Sequence, residues 1–271
     1  MNPVFDQLIE SLDVRATHDL LSHEQTIESN VKRMQELFLN TGQLVDPLIV
    51  DRTTNVVLDG NHRLYVLSMM GCPLAVCQTV DYMNPEIRVG TWLPTVAEPM
   101  HKLLEGKSIR QEIASTAAAT EALNSSTAPF VATQWVRGQA ANQSNMVLEA
   151  GHYELASIVG AQHRILEALG DVLWEYIPDD LTDSYLARGY TVLLRRPFTK
   201  EEIVQGAKER KPFPPKSTRH LIPNRIIRLN MHLEWLHGAR EQALESMRRM
   251  LEMRVYEGSV RRYFEPVIVI Y

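Results

Sequence analysis

Val56-Val57-Leu58-Asp59-Gly60-Asn61-His62-Arg63 is the stretch from which the rest of the chain is read. Its apolar start, with two β-branched residues, predicts a short buried strand. Asp59-Gly60 predicts a sharp turn, and Leu64, Val66, Leu67 and Met70, ending at Gly71, predict a helix. A polar cluster therefore stands where a strand ends and a helix begins. Backbone N–H groups are unpaired there, and the helix dipole favours an anion. An acid, an imidazole and a guanidinium at such a place can hold a phosphate and a small polar substrate together. An Asp-Gly pair alone is a common turn, and His62 and Arg63 could be a surface pair at a helix start. Four polar residues directly after an apolar strand weigh towards a site.

Upstream, Ser22-His23-Glu24-Gln25 has capping-box spacing, with Ser22 as N-cap and Gln25 reaching back. Ile27, Val31, Met34 and Phe38 follow at helical spacing, which predicts an amphipathic helix over 23–39, ended by Gly42. Glu24 then falls in the first helical turn, where the dipole stabilises a carboxylate by a few tenths of a kcal/mol to about 1. If it faces the Asp59–Arg63 turn, it can serve as a general base. Pro47 opens a strand at 48–50, Thr53-Thr54-Asn55 turns the chain into Val56, and a further strand runs from Leu74 to Val80, before Asp81-Tyr82. Together these predict a compact α/β unit of about the first 90 residues.

Thr91-Trp92-Leu93-Pro94 marks a change, and small polar residues near 115–128 predict a linker or an exposed helix. Beyond it, strands at 155–159, 172–177 and 190–194 alternate with helices at 163–169 and 181–187, and Thr199-Lys200-Glu201-Glu202 is a second capping box, opening a helix to about Arg210. This predicts a second α/β or α+β domain over 91–235. Pro212-Phe213-Pro214-Pro215 stiffens an extended segment ahead of Lys216-Ser217-Thr218-Arg219-His220, a dense set of donors that could equally be a solvated loop. A last helix over 236–254 and the apolar Pro266–Ile270 end, with the composition of an edge strand, predict a C-terminal extension at 236–271 that could serve assembly as a homodimer.

Composition bounds the reading. The chain has 271 residues, 45% hydrophobic and 23% charged, with a net charge of -5, which suits a globular protein with a substantial core rather than a general polyanion binder. No run approaches the ~20 apolar residues that span a bilayer. Met1-Asn2-Pro3-Val4-Phe5-Asp6 lacks the basic and apolar regions of a signal peptide, so a cytoplasmic protein with no membrane partner is expected. Cys72 and Cys77 form neither a CxxC nor a disulfide framework and read as reduced and structural. HExxH, Walker A and GxGxxG patterns are absent, and His23, His101, His152 and His163 show no metal-ligand spacing.

His23-Glu24-Gln25, Leu58–Arg63, Asp81-Tyr82, Thr91-Trp92 and Pro215–Pro223 resemble blocks that occur in the same order in the free L-serine kinases, over roughly residues 10–235. The resemblance implies a ParB/sulfiredoxin-like N-terminal domain at 1–90 and transfer of a phosphoryl group from ATP or ADP, with Mg²⁺, to the hydroxyl of free L-serine, giving O-phospho-L-serine. It implies Glu24 as general base and Asp59 as the group that helps position the serine. Gly60, Asn61, His62 and Arg63 would bind the nucleotide phosphate, and Trp92 with Lys216, Ser217, Thr218, Arg219 and His220 the substrate. It further implies that Glu24, the DGNHR turn and the Lys216–His220 stretch act in one cleft; metal ligands stay unassigned. Position 61 departs from the pattern: comparable members tend to carry a second His there, and Asn cannot become cationic, which bears on donor or substrate choice. Sulfiredoxin chemistry needs a cysteine at that position. A ParB-like, nucleotide-dependent DNA-binding or regulatory protein without kinase activity is the alternative, disfavoured by the net charge and the lack of a helix-turn-helix signal.

Overall fold

The computed structural model describes residues 3–136 and 143–263, so the expected edge strand at Pro266–Ile270 lies outside the described residues. The protein is a mixed α/β chain in two compact units: Met1–Ser22, Thr26–Tyr82 and Asn224–Tyr271 make the first, and His23–Gln25 with Met83–Pro223 the second. The chain thus enters the second unit for three residues at Glu24 before returning.

In the first unit a five-stranded sheet runs in the order Leu12–Ala16, Leu74–Val80, Leu48–Asp51, Val56–Asp59, Leu21–Ser22. The central pair, Leu48–Asp51 with Leu74–Val80, is parallel. Burial of both strands explains their apolar starts at 48–50 and 74–77, while the buried Asp51 and Gln78 are hydrogen-bonded. The returning chain supplies Leu229, Met231, Leu233, Leu236, Met247 and Leu251 to the same core as Val14, Val57 and Val76. That shared core is why residues from Asn224 onward belong with the first unit, whereas the sequence reading sets a separate extension at 236–271. The last helix runs Arg240–Tyr256, a few residues later than expected, because a 3-10 turn, Leu233–His237, precedes it.

The expected helix over 23–39 is corrected to Glu28–Thr41. Ser22 is the end of a strand, and Ile27 stands at the N-cap without a side-chain cap. The cause is backbone pairing within the second unit: Gln25 N donates to Phe213 O at 2.8 Å and Phe213 N to His23 O at 2.8 Å. Those bonds hold residues 23–25 extended, so Glu24 lies on a bridge to Phe213 and not in a helical turn. Gly42 does end the helix, at φ +64, a conformation open to glycine at little cost.

The second unit carries a six-stranded antiparallel sheet ordered Glu175–Pro178, Trp92–Val96, Thr191–Leu194, Phe130–Trp135, Gln143–Leu148, Gln111–Ala114. The expected strand at 155–159 is instead the first turns of one helix, Leu155–Leu169. Its capping box at Glu154 and Ser157 and its buried Ile158, Ala161, Ile165 and Leu169, spaced three and four apart, outweigh the local β-branched pair. The 172–177 strand is observed as Glu175–Pro178. The helices Thr116–Asn124, Thr182–Ala187 and Lys200–Lys208 and the strand Thr191–Leu194 stand near their predicted places.

Candidate active site

The sequence-predicted residues fall into two groups, one in each unit. In the first unit the strand Val56–Asp59 feeds Gly60, and the helix Asn61–Met69 starts at once. Gly60 has φ +102, and a Cβ there would stand 2.9 Å from Arg63 Nε. Glycine is therefore required twice over, for the backbone and for the guanidinium that folds across it. Arg63 donates to Asp59 Oδ2 at 2.8 Å and lies 3.6 Å from Asp46 Oδ2 on its other side. A second guanidinium, Arg225, also donates to Asp59 Oδ2. Asp46 is held in turn by the backbone N–H of Arg228 at 2.7 Å. Acid and base alternate here, and both guanidinium groups meet on one carboxylate oxygen at a helix start.

His62 accepts the Ile27 backbone N–H on Nε2 at 2.9 Å, so in its neutral form the proton is on Nδ1. Asn61, the first helical residue, is 8% exposed. Asp81 precedes Tyr82, which is fully buried and donates its backbone N–H to Asp51 Oδ1 at 3.1 Å. Asp51 also takes the Thr54 hydroxyl at 2.6 Å; it is a structural carboxylate that closes the turn before Val56.

In the second unit Glu24 is gripped by the Lys216–His220 stretch. Its Oε1 accepts the Thr218 backbone N–H at 2.7 Å and the Thr218 hydroxyl at 2.6 Å. Because that hydroxyl donates to Glu24, His23 Nε2, 2.8 Å away, must be the donor in its bond to Thr218 Oγ1. A relay of donors therefore converges on one oxygen of the carboxylate. Among the described residues no hydrogen bond is made to Oε2. His23 is buried, and its ring meets His220 edge to face at 5.1 Å.

Trp92, half-buried at the start of its strand, carries two cations on its ring: Lys216 Nζ at 4.8 Å and the Arg219 guanidinium at 5.9 Å from the centroid. It is a stacking platform rather than a core filler. Arg219 is tethered to Asp179 at 3.2 Å and Asp180 at 3.0 Å. Asp179 needs Gly90 beside it, where a Cβ would stand 2.7 Å from its carboxylate. Ser217 is fully buried, so the side-chain donor expected there is not on the surface of the loop.

Arg195 and Arg225 were not singled out from the sequence. Arg195 is 7% exposed, and burial lowers its pKa to about 10, against which the Glu24 carboxylate and then Tyr176 hold it up. Its position at the end of an apolar strand, Thr191–Leu194, was the available signal: an arginine there must be paired or hydrogen-bonded. Arg225 gave none, because Asn224-Arg225 has no periodicity or motif. Among the described residues no cluster of three or more His, Cys, Asp or Glu stands ready to hold a metal ion. The carboxylate nearest the phosphate-type turn, Asp59, already serves two guanidinium groups. The donor set does not make a resident metal site.

No family model matches the chain. It is 24% identical over 233 residues to an ATP-dependent L-serine kinase of Staphylothermus marinus, covering 75% of this chain and 82% of that protein. It is 21% identical over 221 residues to the ADP-dependent L-serine kinase SerK of Thermococcus kodakarensis, covering 79% of this chain and 88% of that one. Its fold matches a free serine kinase variant in complex with ADP at a TM-score of 0.65 over 83% of this chain and 94% of that one, at 19% identity. The chain is similar in sequence and fold to the free serine kinases. Their fold accounts for the mixed α/β architecture expected from the sequence. Among the described residues no helix is long and apolar enough to cross a membrane.

Proposed function

We propose that this chain is a phosphotransferase that phosphorylates the hydroxyl of free L-serine, with ATP or ADP as donor, giving O-phospho-L-serine. The observation that carries the reading is the state of Glu24. A carboxylate with one oxygen saturated by Thr218 and the other left for a substrate is oriented as a general base must be. Phosphoryl transfer asks a protein mainly for positioning and for charge stabilisation. Kinase relatives that use ATP in one case and ADP in another support a nucleoside polyphosphate donor without choosing between them.

In this reading Glu24 Oε2 takes the proton from the serine hydroxyl as its oxygen attacks the terminal phosphorus. The bond from that phosphorus to the bridging oxygen of the nucleotide breaks, and the shortened nucleotide leaves with the electron pair. Lys216, held over Trp92, takes the serine carboxylate, since Arg219 is already committed to Asp179 and Asp180. The first unit serves the donor: the backbone at Gly60–Arg63, the Arg63 guanidinium and Arg225 bear on the transferred phosphate, and Asp59 keeps both guanidinium groups in place. Mg²⁺ carried in with the nucleotide phosphates would neutralise their charge and would need few protein ligands of its own.

The test is incubation of the protein with L-serine, Mg²⁺ and each nucleotide in turn, with mass detection of phosphoserine and of the nucleotide product. Phosphoserine formed together with ADP or AMP supports the reading and names the donor. No phosphoserine with any nucleotide, from protein shown to be folded, rejects it.

A further inference from the structure

Lys216, Ser217 and Thr218 form the turn on which Glu24 depends, and bonds from Arg195 and Thr91 to two of its carbonyls fix it. Lys216 has φ +63, a left-handed conformation that costs a non-glycine residue roughly 1–2 kcal/mol. Its carbonyl accepts a hydrogen bond from the Arg195 guanidinium. The Ser217 carbonyl accepts the Thr91 hydroxyl at 3.1 Å. Thr91 Oγ1 in turn accepts Arg195 Nε at 2.8 Å, and the Trp92 carbonyl accepts a guanidinium N–H at 2.7 Å. One buried side chain therefore ties the turn that grips Glu24 to the backbone of the residue whose ring carries Lys216. Among the described residues no carboxylate pairs directly with it, an unusual state for a buried cation.

We propose that Arg195 is a positioning residue of the second unit's site: it holds the Lys216–Thr218 turn in the shape that presents the second oxygen of Glu24 to a substrate. The inference rests on the kinase reading for its functional consequence. Its structural half stands apart from that reading. The titratable and charged groups on the elements that meet Glu24 are His23 on its own segment, Lys216, Arg219 and His220 on the stretch that holds it, and Arg195 behind that stretch. Lys216 and Arg219 lie against Trp92, and Arg219 is neutralised by two aspartates. His23 spends its Nε2 proton on Thr218. Arg195 is the member of this set that is buried and bonded on the far side of the Lys216–Thr218 backbone.

The experiment compares Arg195→Lys, which keeps a charge but loses the planar fork, with Arg195→Gln, which keeps donors but loses the charge. Thr91→Val, which removes the hydroxyl between Arg195 and Ser217, serves as a third variant that folds if Arg195→Gln does not. The first readout needs no activity: the Thr218 amide resonance, whose N–H donates to Glu24, followed by ¹⁵N NMR in nucleotide-free protein. All three variants are expected to shift it. The second readout is kinetic. Both Arg195 variants and Thr91→Val are expected to lose roughly 10- to 100-fold in kcat with nucleotide KM unchanged, the size of one or two charge-assisted hydrogen bonds. An unmoved Thr218 resonance with unaltered kcat in folded Arg195→Gln, or in Thr91→Val where the former does not fold, overturns the proposal. Wild-type protein that makes no phosphoserine rejects the kinase reading, while the Thr218 resonance still decides the role of Arg195.

Discussion

Replacing Gly60 with alanine separates two demands that the phosphate-type turn makes on its backbone. The first is conformational: at φ +102 an L-residue pays roughly 1–3 kcal/mol. The second is steric. The new Cβ would stand 2.9 Å from Nε, 3.0 Å from a terminal nitrogen and 3.2 Å from Cζ of Arg63. That guanidinium cannot swing freely: its side chain is 12% exposed and held by Asp59 and Asp46. Displacing it forfeits a charge-assisted hydrogen bond of about 1.5–3 kcal/mol. Together the two cost about 2.5–6 kcal/mol, less where one relaxation relieves both. Gly42→Ala is the control: φ is +64 and nothing lies within 4 Å of its Cβ, so it should lose only about 1 kcal/mol. Thermal unfolding followed by circular dichroism reads the difference, at about 2–4 °C per kcal/mol for a chain of this order of size. Steady-state kinetics should show a nucleotide KM raised in Gly60→Ala and unchanged in Gly42→Ala. Equal melting temperatures for the two variants, with wild-type nucleotide KM in both, would refute the argument that Gly60 exists to seat Arg63.

Three further outcomes are expected. Thr218→Val removes the hydroxyl from Glu24 Oε1 but leaves the backbone N–H; kcat for phosphoserine formation should fall about 10- to 100-fold, and Thr218→Ser should restore most of it. Burial raises the Glu202 carboxyl, but its bonds to Arg196 and the Thr199 N–H outweigh that and hold it below the usual 4.5. The stabilisation is therefore complete above that pH and is lost as pH falls through the lower folded value; acid unfolding curves of Glu202→Gln should be flatter than wild type below pH 4.5. Burial pushes the Cys77 thiol up to about 12 and raises Cys72 as well, so neither should react with iodoacetamide at pH 8 until denaturant is added, as alkylation followed by peptide mass mapping would show.

What could be read from the sequence was what local chemistry decides. Leu74–Val80 and Leu48–Asp51 declared themselves because a strand covered on both faces carries an apolar run, here 74–77 and 48–50. The Thr199–Glu202 capping box and Gly42 marked helix ends through bonds made within a few residues. The spacing of Cys72 and Cys77 excluded a CxxC or disulfide framework, and both are free; their burial is a matter of packing that spacing does not carry. The errors came from partners distant in sequence. Ser22–Gln25 has the composition of a helix start, yet Phe213, almost two hundred residues away, takes its backbone into an extended bridge. At 155–159 a β-branched pair suggested a strand, while burial at helical spacing over the whole 15-residue segment decided for a helix. The site shows the same division. Glu24, Asp59 and Lys216–His220 were legible as chemistry, but the grip of Thr218 on Glu24 and the convergence of Arg63 and Arg225 on Asp59 join residues that no local pattern links.

The central claim is that Glu24 takes the proton of a serine hydroxyl during phosphoryl transfer. Its most direct test is the rate of phosphoserine formation by wild type and by Glu24→Gln, measured by mass spectrometry with the donor identified above, alongside melting temperature and nucleotide affinity. The expected result is a kcat about 10²–10⁴-fold lower in the variant, with folding and nucleotide binding retained. A folded Glu24→Gln protein that phosphorylates serine at the wild-type rate would contradict the account.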